Sequence, residues 1–269
     1  HYSPTSKMKK EQITGTHGKL IQPRAVKSRE EQKRRTKDKA EVFTPLKIVK
    51  KMNMAINWAS GHWPATSENW INYISEKRLE ITCGEAPFIA SRYDPTKNSS
   101  DVVSIEKRVG FLDYKLKVVS EFTNNKKEWL QYAEIALKAS YGYEWQGDNL
   151  LIARENVLQT VDDFYKDFCK NKLKHKTIKG LDDEQLEYFA DIISWNIWQM
   201  DGLKYTIPLS GEPPAPFVDK SQLVLALSSL EPDKKKSKAP EVHTGKYAKI
   251  KDWDAGKAGK TVRFIDLVS

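Results

Sequence analysis

The sequence predicts an α/β protein built on a doubly wound, mostly parallel sheet. Three observations point there. Short apolar segments at 79–82, 140–144 and 197–200 have strand length. Stretches with an apolar residue every three to four positions separate them. Each strand-sized segment also runs into a turn rich in small or acidic residues: Cys83-Gly84, Glu144-Trp145 and Asp201-Gly202. Strands that alternate with helices cross over in parallel and lay the helices on the sheet.

The elements follow in order. Phe43-Thr44-Pro45 opens a helix, with Thr44 as its N-cap and Pro45 in the first helical position. Leu46, Ile48, Val49, Met52 and Ile56 give that helix one apolar face. Residues 94–110 read as loop. A second helix covers 128–139, marked by Trp129, Tyr132, Ile135 and Ala136. A third, at 149–168, carries Leu150, Ala153, Val157, Val161 and Phe164 on one side. A fourth spans 182–194 and is capped by Asp182. Beyond Gly202 the pattern weakens. Pro213, Pro214 and Pro216 mark a loop, 222–228 reads as a strand, and 231–240 reads as a flexible, lysine-rich linker. Residues 247–251 and 261–265 alternate as edge strands or a hairpin would. The expected organisation is an arm at 1–40, a main domain at 41–230, and a linker with C-terminal strands at 231–269.

A chain of 269 residues buries a core without staples. No apolar run reaches the roughly 18–20 residues of a membrane helix, and no apolar N-terminal region suggests a secretion signal. Two cysteines, Cys83 and Cys169, form no disulfide framework, so a cytoplasmic setting is expected. The five histidines are scattered without metal-ligand spacing, and no metal is expected. Asp113-Tyr114-Lys115 has a spacing found in nucleases but lacks a paired upstream acid. The net charge is +9, and residues 1–40 alone hold twelve Lys/Arg against four Asp/Glu. The basic character therefore sits in the arm, which is expected to be largely disordered. Its dense run Lys33, Arg34, Arg35 and Lys37 marks it as a candidate contact for DNA phosphates.

In open α/β sheets, ligands sit beyond the carboxyl ends of the strands. Glu80 precedes the small-residue turn Cys83-Gly84 at the first end. Glu144 stands at the second, where a carboxylate accepts hydrogen bonds from ribose hydroxyls. Trp145 follows it as a stacking surface for a purine, and Asp201 ends the third strand.

These strand ends, in this order, resemble the S-adenosylmethionine domain of adenine-N6 DNA methyltransferases, a Rossmann-like fold. Glu41-Val42-Phe43-Thr44-Pro45 is similar to the family's Phe-Thr-Pro element. Residues 79–88 resemble its Asp-Pro-Ala-Cys-Gly-Ser-Gly-Gly-Phe motif. Residues 141–156 resemble its Gly-x-Glu strand end, whose helix finishes Ala-Arg-x-Asn, and 198–203 resemble its third motif. The likeness covers roughly 35–209 and extends to compact modification subunits of bacterial and phage restriction systems. It implies S-adenosylmethionine as cofactor. Phe43, Thr44, Pro45, Glu80, Cys83 and Gly84 would then lie on the methionine side, Glu144 on the ribose, and Trp145 and Asp201 on the adenine. It also implies DNA as partner, with no membrane.

The sequence departs from that pattern. Glu80 stands for the motif's Asp, and Ala86 and Pro87 stand for two glycines. The family's catalytic tetrapeptide (Asn or Asp, two prolines, an aromatic) has no match, because Glu212-Pro213-Pro214 is followed by Ala215. No catalytic residue is assigned. The 67 residues after Gly202 are too few for the remaining strands, at ~30 residues or more per βαβ unit. A reduced sheet, or a further subunit that completes the sheet or reads the target, is expected. The alternative is a non-catalytic module on the same fold that binds cofactor or DNA.

Overall fold

The structure, a computed structural model, describes residues 21–39, 41–97, 101–210, 245–256 and 258–268. Seven α-helices appear among them: α1 (Arg29–Lys39), α2 (Leu46–Ala59), α3 (Trp70–Ser75), α4 (Phe111–Phe122), α5 (Lys126–Lys138), α6 (Gly147–Asp167) and α7 (Asp183–Asn196). The strands are β1 (Arg78–Glu80), β2 (Ser140–Glu144), β3 (Ile197–Gln199), β4 (Lys249–Asp252) and β5 (Lys260–Arg263).

β1, β2 and β3 form a parallel sheet in the order 1-2-3, with Leu79 opposite Tyr141 and Tyr143 opposite Trp198. Helices α4 and α5 fill the first crossover, and α6 and α7 fill the second. Right-handed crossovers that move in one direction put their helices on one face. The α/β class is thus present, with a three-stranded parallel sheet. The reversal of strand order that makes a sheet doubly wound is not found among the described residues.

The two faces have different covers. Trp129, Phe164, Leu112 and Ile193 pack under the helices, together with Ile197 at the start of β3. The other face presents Tyr141, Tyr143, Trp198 and Met200, and the antiparallel β4–β5 hairpin closes it with Ile250 and Phe264. Asn196 joins the layers. Its amide donates to the carbonyls of Leu137 (2.9 Å), Lys138 (3.1 Å) and Ser140 (3.0 Å), and its oxygen accepts the Trp253 indole N–H (2.7 Å).

Several boundaries match the sequence reading and others move for visible reasons. Asp182 caps α7, accepting from the Gln185 N–H at 2.9 Å while the Gln185 side chain accepts from Asp182 N–H. The hairpin forms at the two C-terminal segments, with β4 running one residue past the first and β5 starting one residue before the second. β1 stops at Glu80 because Thr82 takes a left-handed φ of 48°. Thr44 does not cap α2. Pro45 occupies the N-cap with extended ψ, and its carbonyl takes the first helical bonds, from Ile48 and Val49.

Helix α4 was not anticipated, and it contains the acid-x-Lys triplet. Asp113 accepts hydrogen bonds from the Ser91 N–H (2.8 Å), the Ser91 hydroxyl (2.9 Å) and the Gly110 N–H (2.7 Å). Lys115 is fully buried and donates to the Glu76 and Ala139 carbonyls. Both residues fasten chain segments, so the triplet is structural. The segments 212–217, 222–228 and 231–240 lie outside the described residues.

Candidate cofactor site

The turn after β1 is the centre of the site. Thr82, Gly84 and Ala86 all have positive φ, at 48°, 56° and 62°. This winding aims the Gly84 N–H at the Glu144 carboxylate, 2.7 Å away. The second Glu144 oxygen accepts from the Gln146 N–H at 2.9 Å. A carboxylate offers about four acceptor sites, so two remain for a ligand's hydroxyls. The ring of Phe43 lies on Gly84: a Cβ there would come within 2.8 Å of Phe43 Cε1. Gly84→Ala combines that clash with an L-residue in the left-handed region, which costs roughly 1–2 kcal/mol. Its urea midpoint should fall accordingly, with m unchanged.

Glu80 lies beneath the turn. Its carboxylate accepts from the N–H groups of Phe88 (3.4 Å) and Ile89 (3.1 Å). Burial pushes its pKa well above the ordinary carboxylate range, and the Glu144 charge adds to this. Glu80 therefore shapes the loop that faces the site. Cys83 is buried beside it, and burial raises its thiol pKa well above normal, so it is no nucleophile.

The three strand ends are neighbours, since Met200 N–H donates to the Glu144 carbonyl at 3.1 Å. Glu80 and Glu144 face one turn. Asp201 does not join them. Its side chain accepts from the Leu203 (2.9 Å) and Lys204 (3.2 Å) N–H groups, as a turn-forming Asp does. Trp145 is 41% exposed beside the site, and its carbonyl accepts from the Gln199 amide at 2.8 Å.

Residues 21–39, with 41–45, form a strap over these strand ends; the sequence reading placed Phe43, Thr44 and Pro45 here but not residues 21–39. Ala25 and Ile21 pack with Tyr93 and Ile152. The Arg24 N–H donates to Glu85 at 2.6 Å, and the Tyr93 hydroxyl donates to the other Glu85 oxygen at 2.6 Å. Asn156 donates to the Glu85 carbonyl and to Tyr93. The Arg24 guanidinium sits 5.4 Å from the centre of the Phe43 ring and reaches Glu41. Arg35 is the one buried residue of α1. It pairs with Glu41 and with Asp148 (2.7 Å) in the first turn of α6, and donates to Asn149 at 3.2 Å. It was grouped with the DNA contacts, but its guanidinium is committed inward. Lys33, Arg34 and Lys37 remain exposed on the outer face of α1. A lone arginine inside a charge run looks solvated in sequence; only its partners reveal it.

These ion pairs carry a pH dependence. Burial alone would raise the Glu41 carboxyl, but hydrogen bonds from Arg35 and Asn149, with the Arg35 charge, hold it below its ordinary value. Asp148 is lowered by Arg35 in the same way. Depressed native values give stability that is complete above the unfolded pKa of about 4 and is lost as pH falls through the native values. Glu85 has the opposite sign. Burial raises its pKa, so its contribution is complete in acid and declines as pH rises through the native value. Acidification from pH 6 to pH 3 should therefore lower the protection factors of the α1 amides, taken against their intrinsic exchange rates, while those of Arg24–Val26 hold. Uniform exchange along the strap would contradict this.

Elsewhere, an open groove of about 230 Å³ is lined by Leu79, Tyr141, Trp198, Ile250 and Phe264. It lies on the hairpin face, not at the carboxylate-bearing strand ends. No group of three or more His, Cys, Asp or Glu among the described residues is placed to hold a metal. No described helix is long and apolar enough to cross a membrane. No protein-family model matches the chain, and no curated protein or solved structure is significantly similar to it.

Proposed function

We propose that the strand ends bind S-adenosylmethionine and that the protein is an adenine-N6 DNA methyltransferase, or the modification subunit of a restriction system, on a Rossmann-like fold. The observation that carries the reading is the placement of Glu144 at the end of β2, bonded to the N–H of Gly84, on which the Phe43 ring lies. The strand-end carboxylate takes the ribose hydroxyls, the glycine makes room for the Phe43 ring against the turn, and Phe43, Thr44 and Pro45 close over the methionine portion. Trp145 offers an exposed ring to the adenine. Asp201 takes part only by giving up its turn. Calorimetric titration with S-adenosylmethionine tests the core of this reading: no binding heat at two temperatures removes it. Transfer of labelled methyl groups to mixed bacterial DNA then tests the reaction.

A second reading is favoured by one sequence fact, the missing polar-Pro-Pro-aromatic tetrapeptide. On it, the chain binds cofactor or DNA without transferring a methyl group. Cofactor binding without transfer to any DNA selects it.

The DNA contact is assigned to the outer face of α1. Replacing Lys33, Arg34 and Lys37 with alanine leaves the Arg35 pairs in place. Each lost phosphate contact should lower the slope of log affinity against log salt by about 0.9. An unchanged slope moves the contact elsewhere.

A further inference from the structure

Helix α2 divides its apolar residues between the core and solvent: Leu46, Val49 and Met54 pack inward, and a second row faces out. It turns polar residues inward. Asn53 donates to the carbonyls of Phe88 (3.0 Å) and Val109 (2.8 Å). Asn57 accepts from the Tyr73 hydroxyl (2.9 Å) and from Arg78 (2.6 Å). Val49 is buried with them, and Leu46 and Met54 pack partly buried against the same core. The helix is thus held by these contacts and by amide bonds to the loops behind it. Its apolar residues at i, i+4 and i+8 face outward: Ile48 is 41% exposed, Met52 50% and Ile56 45%, with Trp58 at 62%. An ordered apolar row of this kind on a soluble helix marks an interaction site.

The charges beside the row select the occupant. Lys47, Lys50 and Lys51 are exposed, and no hydrogen bond or ion pair holds them among the described residues. Helix α2 contains no Asp or Glu. A second copy docked face to face would bring like charges together with no acid on either helix to answer them. A helix with an apolar row flanked by carboxylates satisfies both features, as in helix-on-helix recognition with charge steering. We propose that the outer face of α2 docks an acidic amphipathic helix of a different protein, through Ile48, Met52 and Ile56 with Lys47, Lys50 and Lys51 at the rim. This surface is independent of the cofactor reading.

The probe is a synthetic labelled peptide of about 18 residues, long enough to hold a helix, with leucines at i, i+4 and i+8 flanked by glutamates. Its anisotropy is followed as the full chain is added. Binding should weaken by at least about tenfold with Met52→Glu, an exposed change whose fold is checked by circular dichroism. A lysine-flanked version of the peptide should bind only when Lys47, Lys50 and Lys51 are all changed to glutamate. Failure of the acidic peptide to bind, or equal binding by the Met52→Glu protein, overturns the proposal. So does concentration-dependent dimerisation that Met52→Glu abolishes, which assigns the face to a second copy. Sedimentation with vesicles of equal phosphatidylcholine and phosphatidylserine, lost in the same variant, assigns it to a lipid surface instead.

Discussion

Arg35→Ala is expected to cost about 3 kcal/mol, the low end for removing one partner of a buried ion pair. The side chains of Arg35 and Glu41 are 8% and 3% exposed, so the Glu41 carboxylate would be left nearly dry. Two further partners, Asp148 and Asn149, lose the same guanidinium. Helix α1 buries no other residue, so nothing apolar keeps it docked once the pairs are gone. The damage should therefore be local first. Proteolysis should cut within 29–39 at neutral pH while α6 and the sheet stay protected. Arg35→Lys tests the geometry. Lysine keeps the charge but cannot fork between Glu41 and Asp148, so it should recover only part of the loss. Full stability in Arg35→Ala would mean that the pairs are not formed in solution.

Glu144→Ala should weaken S-adenosylmethionine binding by roughly 1–3 kcal/mol, the loss expected for a charged hydrogen-bond acceptor. Two effects add. The ribose hydroxyls lose their acceptor, and the Gly84 N–H loses the partner that holds the turn at 2.7 Å. Glu144→Gln separates them, because its amide oxygen can still accept from Gly84 while the NH₂ group cannot replace the second carboxylate oxygen. Binding intermediate between wild type and Glu144→Ala supports both roles. Affinity unchanged in Glu144→Ala would displace the ribose from this strand end. Calorimetry reads the affinity, and denaturation of the unliganded protein reads the turn.

Much of the fold was legible because periodicity announces amphipathic elements. Helix α6 and strand β2 bury the residues their patterns mark, and in α5 Trp129 and Ala136 are buried while Tyr132 and Ile135 pack partly buried against the core. Helix α4 was missed because charged residues break its pattern. Asp113 and Lys115 are buried in it, and each is satisfied by bonds to distant backbone that no local signal encodes. Helix α2 was placed correctly, but its one apolar face divides: Leu46 and Val49 pack on the core, whereas Ile48, Met52 and Ile56 are exposed, because Asn53 and Asn57 take the inner face by satisfying carbonyls and Arg78. At the site, Glu80, Gly84 and Glu144 were legible as strand-end residues. Asp201 was legible too, but the backbone N–H groups nearest to it occupy its carboxylate. Glu85, Tyr93 and Asn156 were not, because their meaning depends on residues 60 and more positions away along the chain.

The uneven cover of the sheet has a kinetic consequence during synthesis. The helical face is complete when the chain reaches Asn196, but the aromatic face of Tyr141, Tyr143 and Trp198 waits for Ile250 and Phe264. At about 5–20 residues per second, the interval between residues 199 and 249 lasts several seconds. Throughout it, the nascent chain carries a sticky aromatic plate without the hairpin that packs on it. Ribosome-bound chains should therefore recruit holdase chaperones and bind hydrophobic dyes once Trp198 has left the exit tunnel, and full chains released from the ribosome should lose both.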